Sequence, residues 1–214
     1  HRDGDIHIHD MDFYTLTTTC CQIDIVKLFK DGFNTGHGHL REPKDIASYA
    51  ALACIAIQSN QNDQHGGQSI PNFEYGLAPG VAKTYRRLYQ QNLGRALELE
   101  LGVEEGDQLA QELVQQVEER CGQGPKLGGS EPYITAERKE LESRYGADMA
   151  EKLQQFALRR AEKEIERCTF QAMEALIHNL NTMHSRAGAQ IPFSSINYGT
   201  DTSPEGRLVM KSVL

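Results

Sequence analysis

Four stretches of the chain hold side chains that can do chemistry. The first is His7-Ile8-His9-Asp10. Alternate residues of a strand point to one side, so His7 and His9 can face one ligand. An H-x-H at the end of an early strand can bind zinc, as in a metal-dependent barrel hydrolase. The same pattern suits a polar strand end with hydrogen-bonded histidines. Spacing supplies no third and fourth ligand, although folding can recruit His37, His39, Asp63 or His65. The second stretch is Cys20-Cys21. Adjacent strand residues face opposite ways, so one thiol can look into a site while the other packs. Vicinal cysteines do not readily bridge each other, because the ring would be strained. Two buried, inert thiols are the other reading.

The third stretch is Gln64-His65-Gly66-Gly67-Gln68, within a run from Asn60 that is polar or glycine throughout. Its glycines allow close backbone approach to a ligand, and its amides offer donors and acceptors. That suits an uncharged polar or phosphorylated ligand; a plain turn is the alternative. The fourth comprises Asn179 to Arg186 and Pro192 to Thr200. It puts Ser194, Ser195 and Asn197 at a strand end, followed by a helix start at Thr202 and Ser203. Free N–H groups there suit phosphate, although helix starts commonly carry these residues.

The elements that must position these groups follow from periodicity and punctuation. Residues 4–9 alternate as a short strand, and 13–25 fit a second extended or buried segment. Asp31-Gly32 and Gly36-His37-Gly38 mark turns. Pro43 can open a helix running to about residue 58, apolar nearly all round and therefore buried. Helical patterning returns over 81–100 and 105–120. A Gly/Pro-rich loop over 122–133 and a long helix over 147–183 follow. Residues 189–198 read as a buried strand, and Ser203-Pro204 as the cap and first position of a last helix. Strands separated by long helices predict α/β with crossover connections.

Composition narrows the partners. The 214 residues carry a net charge of -8, which argues against a general nucleic-acid binder. No window approaches a membrane-spanning apolar run. Five cysteines, an odd number without secretory context, predict reduced thiols. Residues 81–170 hold 14 of the 22 Lys+Arg and 17 of the 30 Asp+Glu, so a charged helical middle separates two chemically dense ends. The chain opens on His-Arg-Asp-Gly-Asp, without a signal-peptide pattern, and stops inside a helical pattern. A piece cut from something longer is expected.

The run from His1 through Asp10, with Thr17-Thr18-Thr19-Cys20-Cys21-Gln22-Ile23-Asp24, strongly resembles the anaerobic (class III) ribonucleoside-triphosphate reductases, of the glycyl-radical enzymes. So do Gly32 to Gly38, Ser59 to Pro71, Asn181 to Gly188, and Pro192 to Arg207, in the family's order. The resemblance implies an α/β fold, about half of a ten-stranded barrel with a long helical middle. Within it, 1–80 would hold the first strands and active-site loops. Residues 81–185 would form a helical dimer and effector region, and 186–214 a strand and following helix. It implies a cytoplasmic oxidoreductase that converts ribonucleoside triphosphates to 2′-deoxyribonucleotides by radical chemistry, with formate as reductant. A radical-SAM activating enzyme installs the glycyl radical. The expected partners are nucleotide substrates, deoxynucleoside triphosphate or ATP effectors and a second copy of the chain, but neither membrane nor nucleic acid.

Carried over by position, Cys20 matches the cysteine that helps reduce the substrate radical, four residues before Asp24; Cys21 is the second choice. His7 matches a position near the ribose and formate. Ser194, Ser195 and Asn197 match a strand end facing the substrate, and Asn62, His65 and Gly66 a loop near the active site. The 214 residues contain no Gly-Cys-Arg thiyl loop, no glycyl-radical motif, no cysteine-rich zinc site and no nucleotide-binding activity domain. These residues alone are therefore expected to be inactive.

Overall fold

A computed structural model of the chain describes residues 20–35, 38–64, 66–184 and 191–214. The expected strand over 4–9 lies outside them. The described elements begin with β1 (Cys21–Gln22) and α1 (Ile25–Asp31). A small antiparallel hairpin follows, β2 (Phe33–Asn34) with β3 (His39–Leu40). Then come α2 (Ile46–Asp63), β4 (Gln68–Ile70), α3 (Phe73–Leu101), α4 (Gly106–Cys121), α5 (Glu131–Tyr145), α6 (Ala147–Thr182), β5 (Ser194–Ile196) and α7 (Pro204–Val213). β1, β4 and β5 form a parallel sheet in that order, joined by helical crossovers. The fold is α/β as expected, with helices predominating. Among the described residues the sheet has three strands and does not close into a barrel.

Local chemistry accounts for several boundaries. Asp24 caps α1 by accepting from the Lys27 amide at 3.2 Å. Asp45 caps α2, where its Oδ1 accepts from the Ser48 amide at 2.8 Å and the Ser48 hydroxyl at 2.7 Å. Pro43 therefore stands before the helix rather than in its first turn. The far end of α2 also departs from expectation: it runs on through Asn60, Gln61 and Asn62. Gln61 is buried there, so the amide-rich run begins as helix, not loop. Ser203 caps α7 by accepting from Gly206 N at 3.0 Å, with Pro204 at the first position, as the sequence predicts.

α3 begins eight residues before the expected 81 and contains Pro79. A proline inside a helix removes one backbone bond and crowds the preceding turn. Burial outweighs that cost, since Phe73, Leu77 and Val81 are all fully buried. α5 starts at Glu131, inside the stretch read as loop, and its weakly periodic sequence gave little signal. It is held by Tyr133, Glu137 and Leu141, all buried. α6 fills nearly the whole of the predicted 147–183. One core runs through the molecule, from Ile25, Ile57 and Ile70 near the sheet to Tyr85, Tyr89, Leu113 and Leu153 in the helical part.

β5 corrects a further expectation. The 189–198 segment reads as a buried strand, but Ser194 and Ser195 are exposed and Ile196 is half-buried. β5 is an edge strand, and one face of the sheet is uncovered by the described helices, so it has core contact on one side at most.

Candidate functional site

The sheet brings three motifs that are remote in sequence into one register. Cys21 stands opposite Gln68 and Gln68 opposite Ser194, while Gln22 stands opposite Ser69 and Ser69 opposite Ser195. Backbone bonds extend the pairing at both ends. Cys21 N donates to Gly67 O at 3.1 Å and Gln68 N to Phe193 O at 2.7 Å. Asn197 N donates to Ile70 O at 2.9 Å, and Phe73 N to Asn197 O at 3.2 Å.

Alternation then sorts the side chains. Ile23, Gln68 and Ile70 are buried toward the helices. Cys20, Gln22, Ser195 and Asn197 are exposed, and Ser69 is half-buried. Phe193, two residues before Ser195, is 74% exposed. The uncovered face thus carries a thiol, an amide, hydroxyls and an aromatic ring. All five cysteines are free thiols. Cys21 is half-buried and lines a cleft of about 460 Å³ with Phe33, Asn34, Ser59 and Asn60.

An amide network holds the thiol-bearing segment. Asn60 Nδ2 donates to Gln64 Oε1 at 3.0 Å and also to Gln68 Oε1. Gln64 Nε2 donates to the Cys20 carbonyl at 3.4 Å, and Gln68 Nε2 to the Gly66 carbonyl at 3.4 Å. The end of α2 is thereby linked to β1 through side chains of the amide-rich run. Asn60, Gln64 and Gln68 are visible in the sequence only as composition; the bond from Gln64 to Cys20 depends on how β1 is placed beside β4.

The predicted site residues are not all gathered. Ser195 lies in β5, and Cys20 and Asn197 directly flank β1 and β5. Ser194 does not join them: it pairs with Gln68 and so alternates to the opposite face from Ser195, its hydroxyl donating to the Pro192 carbonyl at 3.2 Å. Asn62 sits in the last turn of α2 rather than in a loop, because that helix runs to Asp63. Gly66 lies beyond it with φ +88, a conformation that favours glycine. His7, His9, His37 and His65 lie outside the described residues, so neither the ribose-facing role of His7 nor a His7/His9 metal site meets any geometry. Among the described residues, no group of three His, Cys, Asp or Glu could hold a metal ion.

The expected phosphate seat at the last helix start is largely satisfied from within. Asp201 Oδ1 accepts from Ser203 N at 2.8 Å, and Ser203 Oγ takes the Gly206 amide. Pro204 has no N–H to offer. The cap is legible in the sequence, whereas the acceptors that already occupy these donors are not.

Two buried carboxylates carry no signal in the sequence. Glu74, in the first turn of α3, is 1% exposed, and its Oε1 accepts from the amides of Gly199, Thr200 and Asp201 at 2.9, 2.9 and 3.1 Å. Burial works to raise its pKa, but these amides and its own outweigh it and hold the carboxyl below its ordinary range. The second is Glu137, fully buried between α3, α5 and α6. Tyr89 Oη donates to it, as do Tyr133 Oη and Gln154 Nε2, each at 2.8 Å. Burial dominates there, and the carboxyl is pushed above its ordinary range despite the three donors. Nothing in a lone Glu of a charged helix signals either arrangement.

The family model described as anaerobic ribonucleoside-triphosphate reductase matches residues 1–214. The relative of that name from Enterobacteria phage T4 is 24% identical over 216 aligned positions, covering 100% of this chain and 26% of the relative. Those from Salmonella typhimurium and Escherichia coli K12 are each 24% identical, covering all of this chain and 22% of theirs. The chain thus spans about a quarter of the length of the curated relatives it matches. With a match over its full length, and its motif segments paired in one sheet, the chain belongs to the anaerobic ribonucleoside-triphosphate reductase family.

Proposed function

We propose that this chain forms part of the catalytic domain of an enzyme that reduces ribonucleoside triphosphates to 2′-deoxyribonucleotides. The observation that carries this reading is the register of β1, β4 and β5, which brings Ser195 and the flanking, exposed Cys20 and Asn197 to one small sheet. The proposed radical reduction uses a thiol beside the substrate and neutral polar groups to hold the ribose. It also needs a face that further chain can cover to exclude water. In this reading the three strands belong to the first half of a ten-stranded barrel, and their uncovered face lines its interior.

Each residue then has a role. Cys20 helps reduce the substrate radical, after the 2′ hydroxyl has left as water. Ser195 and Asn197 hydrogen-bond the ribose, with Gly66 at the rim; Asn62 stands behind them on α2. His7 and His65 complete the polar surround, His7 toward the ribose and formate. A glycyl radical outside these residues, installed by a radical-SAM activating enzyme, supplies the oxidising equivalent that starts the reaction, and formate supplies the electrons. The zinc site of the family also lies outside this segment. The helices of 81–185 supply a homodimer interface and the seat for deoxynucleoside triphosphate or ATP effectors of a cytoplasmic enzyme.

Cys20→Ser in the full-length, activated enzyme tests this directly. Deoxynucleotide formation should vanish while the glycyl radical signal persists, and Cys21→Ser should retain turnover. Undiminished product from Cys20→Ser would sink the assignment.

A further inference from the structure

Glu74 is a buried carboxylate, and one of its two oxygens, Oε1, is filled by a remote segment of backbone. Three successive amides, Gly199, Thr200 and Asp201, converge on Oε1, and the Thr200 hydroxyl adds a contact at 3.4 Å. Successive N–H groups aimed at one oxygen make a small anion nest. The helix start alone would favour an acid at this position, but it would not recruit amides from the far side of the chain.

The neighbours of Glu74 act in the same place. Phe73 N donates to the Asn197 carbonyl, so consecutive residues of α3 grip the exit of β5 through a donor and an acceptor. Asn72 Nδ2 reaches Asp24 Oδ1 at 3.3 Å, at the exit of β1. Residues 72–74 therefore brace the carboxyl ends of two strands from the start of the helix that follows the strand between them. The braced loop is exposed along Asn197, Tyr198, Gly199 and Thr200, yet its amides point inward. Such a loop presents side chains outward on a fixed backbone. The carboxyl edge of parallel strands is also where α/β folds commonly bind ligands.

We infer that Glu74 is a positioning residue, which fixes the backbone of Asn197 to Asp201 so that Asn197 meets the ribonucleotide in a set orientation. This rests on the reading of Asn197 as substrate-facing. Glu74 itself does not touch substrate. Its effect passes through three hydrogen bonds, so it should govern substrate affinity more than the chemical step.

The test uses the full-length, activated enzyme with Glu74→Gln and Glu74→Ala. Hydrogen exchange should accelerate in the peptide spanning 197–203 and not across α2 or α6. KM for the ribonucleoside triphosphate should rise about tenfold in Glu74→Ala and less in Glu74→Gln, which keeps an acceptor oxygen, while kcat changes less than about twofold. Unaltered exchange in 197–203 overturns the inference, and so does faster exchange there with an unchanged KM. Exchange accelerated throughout α2, α3 and α6 would show a merely structural group and overturn it as well. A wild-type enzyme that yields no deoxynucleotide brings down the reductase reading itself. An active wild type with an unaltered Glu74→Ala KM brings down this inference alone.

Discussion

Cys20 and Cys21 are neighbours in the chain with different surroundings. Cys20 is exposed beside an uncovered sheet face, whereas Cys21 is half-buried against the core. Cys54 is different again: it is 2% exposed on α2, its thiol lies 3.7 Å from the Leu176 carbonyl, and burial pushes its pKa up to about 11. The thiolate is the reactive form, so exposure and pKa act together. Brief alkylation of the folded 214-residue chain should label Cys20 first and leave Cys54 unmodified until denaturant is added. Peptide mass spectrometry reads the order, and early labelling of Cys54 would contradict this packing.

At the scale of elements, two contacts explain why the helices sit where they do. Gly76 and Gly80 on α3 let α1 and α2 approach closely. A Cβ on Gly76 would meet Ile25 Cδ1 at 2.2 Å, and one on Gly80 would meet the Tyr49 ring at 2.7 Å. Alanine ordinarily favours a helix over glycine. Here Gly76→Ala should instead destabilise by about 1–3 kcal/mol through overpacking, measured by urea denaturation. The second contact is the Glu137 cluster, which ties α5 to α3 and α6 through Tyr89, Tyr133 and Gln154. Glu137→Ala would leave those three donors buried without an acceptor. A loss of about 3 kcal/mol is expected, with α5 the first element to lose protection from hydrogen exchange.

For the whole molecule, pH dependence follows from carboxyls shifted in opposite directions. The Lys27 amide and then the Asn72 side chain hold Asp24 below its ordinary value. Burial opposes the same shift at Asp45 and is outweighed by its bonds to Ser48, while Arg144 and Arg120 lower Glu140. With Glu74, these groups bind fewer protons folded than unfolded. Their contribution is complete above the ordinary carboxylate range and is lost as pH falls through the folded values. Glu137 is raised, so its contribution is largest at low pH and shrinks as pH rises through its folded value. Urea midpoints should therefore fall steeply on acidification below the ordinary carboxylate range. Glu137→Gln should remove the decline on the alkaline side of that range while keeping the acid limb.

The sheet adds a second consequence at this scale. β1 and β5 are both edges among the described residues, and Phe193 is exposed on the open face. Unpaired edges recruit other strands. The isolated 214-residue chain should self-associate with concentration in sedimentation, and it should form no deoxynucleotide. Turnover by these residues alone would refute that.

What could be read from the sequence was local or was carried by long ordered motifs. Ser203-Pro204 announces the start of α7, and the apolar spacing of 147–183 announces α6, because caps and helical periodicity act over a few residues. The family resemblance was legible for the same reason: its motifs are contiguous runs. The starts of α2 and α3, the exposure of β5 and the helical placement of Asn62 were not, since burial against distant elements decided each of them. Only the tertiary structure put Cys21, Gln68 and Ser194 side by side, and only it gave Glu74 three amides and Glu137 two tyrosines. A buried carboxylate survives only when remote donors converge on it, and that convergence is a property of the folded chain rather than of any neighbourhood in the sequence.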